Sequence, residues 1–182
     1  MNVIAFEGTT KFAEGSLTEV ALAAWRRLAD GSLLPLLIFD SASGRVVDVD
    51  YRGEPADVAR RLEDPPRGPG RPRLGVVARE VTLLPRHWDW LNTQPGGASV
   101  ALRKLVEQAK RAGESVDRIR LEREAAYRFI VAMAGDEPGF EEAARALFSG
   151  SESNFQMKTA AWPPDVREHA WRLAAGTWER AT

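Results

Sequence analysis

The chain reads as an α+β protein with a small N-terminal α/β unit carrying a β-hairpin, a central strand–helix–helix segment and a C-terminal helical bundle. Three observations predict this. Short β-prone runs are confined to the first half, at Asn2–Phe6, Leu33–Phe39, Arg45–Tyr51 and Val76–Leu84. Helix-period apolar patterns dominate from Ser99 to the end. Between the first two parts lies EDPPRGPGRPRLG, residues 63–75, whose four prolines exclude a helix or an internal strand. The expected domains are therefore 1–62, a basic linker arm 63–75, a unit at 76–112 and a helical domain at 113–182.

Within 1–62, Asn2–Phe6 is a short apolar strand. Ser16 precedes Leu17, Val20, Leu22, Ala24, Trp25 and Leu28 at helical spacing, and Glu19 stands three residues after Ser16, the spacing of a capping box. Gly31 is the stop. Leu33–Phe39 reads as a buried strand, Asp40–Gly44 as a turn, and Arg45–Tyr51, which alternates, as the strand pairing back in a hairpin. Pro55 opens a short helix through Leu62.

Val76–Leu84 forms a strand that Pro85 ends, because proline suits the first turn of a helix. That helix carries Trp88 and Leu91. Pro95-Gly96-Gly97 breaks it, and Ser99 is the expected N-cap of a second helix with Leu102, Leu105, Val106 and Ala109 on one face. From residue 114 the pattern is helical throughout. Ile119, Leu121, Ala125, Phe129, Ile130 and Met133 share a face that ends at Gly135. A second helix runs through Phe140, Ala143, Ala144 and Leu147 to Gly150, and a third, capped by Ser151 or Ser153, carries Phe155. A last helix after Pro163-Pro164 carries Val166, Ala170, Leu173 and Ala174.

The composition is that of a folded protein: 44% of the 182 residues are hydrophobic, enough for a real core. The net charge is −1, but it is unevenly spread. Residues 67–111 hold nine Lys/Arg against three acids, a local +6, whereas 1–66 carry seven against eleven and 112–182 nine against twelve. Either an anionic partner for the middle segment or internal neutralisation by the acidic flanks accounts for this. The absence of cysteine excludes disulfides, thiol catalysis and cysteine-bound metal. No secretory leader is visible at Met1–Glu7, and the longest apolar run, Leu33–Phe39, is too short to span a bilayer, so a cytoplasmic protein with no membrane partner is expected.

Arm, strand, helix, glycine turn and helix is the order of a ribbon-helix-helix DNA-binding unit, and residues 76–112 resemble one. In that family two chains pair their strands into a ribbon that enters the major groove. The resemblance implies that Val81 and Leu83 face the core while Arg79, Glu80 and Thr82 face DNA. It implies further that Gly97, Ala98 and Ser99 offer a helix N-terminus to phosphate. Leu102, Leu105 and Val106 would build the dimer core, with Trp88 at the interface. Gly70-Arg71-Pro72-Arg73 is a partial match to the core of an AT-hook, in which arginines enter the minor groove; as an alternative it is a solvated linker. The expected DNA contacts are thus Arg71, Arg73, Arg79, Thr82, Arg86, Gly97, Ser99 and Arg103, and the expected partners are a second copy of the chain and double-stranded DNA.

Two features depart from that family. Glu80 on the reading face carries the same sign of charge as phosphate, and Leu84 breaks the alternation. A module that uses the same unit only for dimerisation or protein interaction is the alternative. As a whole, through GRPRLGVVAREVTLLPRHWDWLNTQPGGASVALRKLVEQA, AAYRF, AGDEPGFEEAARALFSG and WPPDVREHAWRLA, the chain resembles an uncharacterised bacterial family of unknown function. No catalytic set, metal site or cofactor is expected. His87 and His169 lie in different helices without ligand spacing, and no P-loop, G-x-S-x-G or dinucleotide fingerprint occurs. Trp25, Trp162, Trp171 and Trp178 read as packing residues, as does one of Trp88 and Trp90.

Overall fold

The computed structural model describes residues 1–63 and 79–178. The architecture is mixed α+β. β1 (Asn2–Glu7) turns at Gly8-Thr9 into β2 (Thr10–Ser16), followed by α1 (Leu17–Ala29), β3 (Leu36–Asp40) and α2 (Pro55–Leu62). After them come α3 (Pro85–Asn92), α4 (Gly97–Ala134), α5 (Phe140–Ser149), α6 (Glu152–Thr159), α7 (Pro164–Ala174) and a 3-10 turn, Ala175–Trp178. The chain divides into two compact units: Met1–Glu63 with Val116–Thr182, and Asp64–Ser115, with α4 contributing residues to both. No described helix is long and apolar enough to cross a membrane.

In the larger unit the sheet is antiparallel, in the order β2-β1-β3. Because successive strand residues point to opposite faces, β1 serves two cores at once. Val3 and Ala5 join Ile38 and the α1 residues Val20 and Ala24. Ile4 and Phe6 join Phe39 and the far half of α4 (Ala125, Ala126, Phe129, Ile130), with α5, α6 and α7. Val3, Ile4, Ala5 and Phe6 are all fully buried as a result. The domains expected at 1–62 and 113–182 thus share one core, since the face of the sheet left open by α1 is closed by α4–α7.

The local signals hold at several places. Ser16 Oγ accepts the Glu19 amide at 3.3 Å and the Glu19 carboxylate accepts the Ser16 amide at 3.1 Å, which completes the capping box of α1. Helix α5 ends at Gly150 and α4 ends just before Gly135, as read. Ser151 takes the N-cap position of α6 without a side-chain cap bond.

Other expectations are corrected. β2 had no counterpart in the sequence reading; it is the hairpin partner of β1. β3 begins at Leu36 rather than Leu33, and Leu33 is 99% exposed, because Pro35 has no amide to give a ladder. Arg45–Tyr51 is not a strand. It is joined to β3 by one bridge, Phe39–Val46, flanked by the Asp40 amide to Arg45 oxygen bond at 2.9 Å and the Val47 amide to Ile38 oxygen bond at 2.8 Å. Beyond that, Asp50 is held by Arg52 at 2.7 Å, and Arg61 of α2 donates to the backbone oxygens of Asp50 and Arg52, which draws the segment toward α2. The turn Asp40–Gly44 instead docks on α4. Gly44 has φ +64°, and a β-carbon there would stand 2.1 Å from the Ala125 oxygen, so only glycine fits.

His169 of α7 is packed into the core, 3% exposed, with its ring 4.5 Å from that of Phe129 and 5.9 Å from Phe6. Arg172 Nη2 lies 2.8 Å from His169 Nδ1. A guanidinium can only donate, so Nδ1 accepts and the proton resides on Nε2. Nε2 has no hydrogen-bond partner among the described residues. Burial first, and the neighbouring Arg172 charge second, push the imidazole down to about 4. The fold therefore favours neutral His169: its contribution is complete above the ordinary histidine range and is lost as pH falls from about 6.5 toward 4. We predict that an NMR titration finds His169 half-protonated near pH 4. His169→Phe should remove a component of up to roughly 3 kcal/mol from the acid loss of stability seen in denaturant unfolding. A His169 titrating near 6.5 refutes this account.

Candidate functional site

The candidate site lies in the smaller unit, whose described part is residues 79–115. Pro85 occupies the first helical position of α3, where its missing amide costs nothing, and Leu84 precedes it in extended backbone. α3 ends in a turn where the Thr93 hydroxyl donates to the Trp90 oxygen at 2.7 Å. Gly96 and Gly97 follow with φ +85° and +76°, the left-handed conformation glycine adopts without strain. α4 then begins at Gly97 itself.

Several sequence expectations change here. The described part of the expected strand, residues 79–84, forms no strand. Among the described residues this segment has no ladder partner, and a lone strand is not stable by itself. Val81, expected in a core, is 54% exposed; Leu83 is half-buried; Arg79, Glu80 and Thr82 are exposed. Ser99 is not the N-cap of α4, because the helix begins two residues earlier, and it stands exposed in the first turn. The second helix does not stop at residue 112 but runs 38 residues without a break. Gly113 costs about 1 kcal/mol there relative to alanine, and good helix formers surround it. Beyond it Arg118–Glu122, Arg120–Glu124 and Arg128–Glu124 pair at i,i+4 spacing. Arg71 and Arg73 lie outside the described residues.

What the unit does bring together is apolar surface. Among residues 79–115 only Leu91 and Ala101 are buried. Leu84, Trp88, Trp90, Leu105 and Val106 are exposed to between 37% and 61%. Leu83, Arg86, His87, Trp90, Leu91, Leu102 and Leu105 line a groove of about 270 Å³ between α3 and α4. Of these, Trp90 and His87 had no place in the expected interface. Their signal was the spacing of Arg86, His87, Trp90 and Leu91 along one side of α3.

The charges are arranged separately. Arg79, Arg86, Arg103, Lys104, Lys110 and Arg111 are exposed, and none makes an ion pair among the described residues. On α4, Arg103 and Lys110, like Lys104 and Arg111, are seven residues apart and share a face. Leu102, Leu105, Val106 and Ala109 fall on another. Glu107 sits within the basic stripe and leaves it at +3. Among the described residues no group of three or more histidines and carboxylates is placed to hold a metal ion.

The family described as uncharacterized protein conserved in bacteria, DUF2239, matches residues 2–174, from the first residue of β1 to the last of α7. No curated protein and no solved structure matches the chain.

The two glycines allow a local test. A β-carbon at Gly96 would meet Val100 side-chain atoms at 3.2 Å, whereas one at Gly97 meets nothing within 4 Å. Gly97→Ala should therefore lower the opening free energy of the first turn of α4 by about 1 kcal/mol, from backbone strain alone. Gly96→Ala should lower it further. Amide hydrogen exchange at residues 98–102 measures both, and equal effects would contradict the packing of Val100.

Proposed function

The chain belongs to the DUF2239 family of uncharacterised bacterial proteins, and we propose that it is a homodimeric DNA-binding protein that associates through the α3–α4 unit. The observation that carries this reading is the division of that unit into an unpartnered apolar face and a stripe of unpaired bases. A unit with two buried residues and several exposed large side chains gains stability by covering them. When the apolar face of α4 meets its counterpart, the basic stripe is left outward, where phosphate is its natural counter-charge. In this reading the α3–α4 pair is the helix–helix part of a ribbon-helix-helix unit. The ribbon forms when a second chain supplies the strand partner that residues 79–84 lack among the described residues. Arg79, Arg86, Arg103 and the arm residues Arg71 and Arg73 hold the backbone, while Gly97 and Ser99 present the α4 N-terminus. The protein binds its ligand without chemical change.

A second reading, a protein-interaction module, is favoured by the exposed Glu80 and by the apolar groove beneath Trp90. In it the unit dimerises or docks a protein, and the basic stripe serves solubility.

Two measurements separate these. Light scattering at micromolar concentration should give about twice the 20.1 kDa chain mass. Leu105→Glu with Val106→Glu should give the single-chain mass with helical content retained, because both side chains are 41% or more exposed. A monomeric wild type defeats both the dimer and the ribbon. For DNA, anisotropy of a labelled random duplex between 50 and 200 mM salt, about the range over which phosphate-dominated binding weakens steeply, should give a linear log K against log salt. Arg103→Ala with Lys110→Ala should make the slope shallower by about 0.9 for each phosphate no longer neutralised. A dimer without salt-dependent DNA binding transfers the function to the interaction module.

A further inference from the structure

The larger unit contains a second feature, independent of the α3–α4 surface. A pocket of about 290 Å³ is lined by Glu152, Phe155, Gln156, Trp171, Ala175 and Trp178, at the junction of α6, α7 and the final 3-10 turn. Its size suits a small ligand rather than a drug-sized one. We infer that this pocket binds a small organic cation of the quaternary or methylated ammonium class, held between the two indole rings and the Glu152 carboxylate.

The walls are aromatic and fixed. Trp171 Nε1 donates to Thr159 Oγ1 at 2.7 Å, and the Thr159 hydroxyl in turn donates to the Phe155 oxygen at 2.9 Å, which ties the indole to α6. Trp178 packs on the wholly buried Phe155 with ring centroids 5.6 Å apart. Indole faces carry negative potential and attract cations, most strongly when water is excluded. Trp171 already holds one such contact, the Arg167 guanidinium 5.5 Å from its ring centroid.

The rim supplies the matching charge. Glu152 makes no ion pair among the described residues; Oε1 accepts the Gln156 amide at 3.1 Å, which leaves Oε2 for a ligand. Its position in the first turn of α6 also favours a carboxylate, but that role needs no aromatic neighbours. The Glu152 carboxylate disfavours an anion beside it, and a neutral apolar ligand would strip water from that carboxylate without compensation. A soft cation with methyl groups satisfies both the rings and the charge. A compact ammonium with a tight hydration shell gains less from the rings.

The test uses the full-length protein and three probes: tetramethylammonium, choline and the neutral isostere of choline, 3,3-dimethylbutan-1-ol, at constant ionic strength set with sodium chloride. The readout is the shift of the indole Nε1–H resonances by NMR. Both cations should shift the Trp171 and Trp178 signals saturably and bind at least tenfold more tightly than the isostere. Glu152→Gln should weaken the cations tenfold and leave the isostere unchanged. Glu152 is exposed, so this substitution leaves the packing of Phe155, Trp171 and Trp178 intact. Isostere binding as tight as choline, cation binding unaffected by Glu152→Gln, or the lack of a saturable shift would each overturn the inference.

Discussion

Everything in the larger unit depends on β1 being buried on both faces. A strand whose four central residues, Val3 to Phe6, are all covered needs a helical layer on each side. α1 provides one, and the far half of α4 with α5–α7 provides the other. Phe6, Phe39 and Phe129 meet at centroid distances of 5.0 to 6.1 Å at the centre of the second layer. Burying each such side chain contributes about 1.5–3 kcal/mol. The first 63 residues therefore share their core with residues 116–178, which cover the face of the sheet that carries Ile4, Phe6 and Phe39. His169 lies against the same aromatic group, which is why protonating it works against the fold.

The α3–α4 unit is organised on the opposite terms. It has little interior, and its apolar side chains stand at the surface. The treatment of charge differs as well. In the larger unit several arginines are matched at home: Arg27 with Glu7, Arg128 with Glu124, Arg145 with Glu142 and Arg172 with Glu14. Such surface pairs contribute little individually, but they leave less charge to offer. The bases of residues 79–111 have no such partners among the described residues.

The sequence made some things legible and not others. The Ser16–Glu19 box, Pro85 at the start of α3, the end of α4 before Gly135 and the Gly150 stop were readable because each depends on groups within four residues of one another. Ser99 was misplaced because two glycines at positive φ allow the helix to begin at Gly97. The boundary expected at residue 112 is absent, because the helical turns on either side offset what Gly113 costs. Arg45–Tyr51 has the alternation of a strand, yet it was diverted by Arg61 from another element. In the candidate site the common face of Leu102, Leu105 and Val106 was legible from helical spacing. The exposure of Trp90 and Val81 was not, since periodicity tells which residues share a face but not whether anything covers it.

By itself, then, the sequence determined where several of the helices start and stop, the mixed α+β class of the fold and the concentration of positive charge in its middle third. These follow from backbone sterics, capping and short-range side-chain spacing. The tertiary structure alone decided that β1 is the middle strand, that its two faces serve two helical layers and that the ends of the chain share one core. It alone seated His169 with an unpartnered Nε2 and gathered Trp171, Trp178 and Glu152 around one pocket. The physical reason is distance along the chain. Lys11 donates its amide to Asp165 at 2.8 Å and Arg172 reaches Glu14 at 2.8 Å, pairings more than 150 residues apart. Local propensity carries no information about such pairs, and only simultaneous burial of both partners selects them.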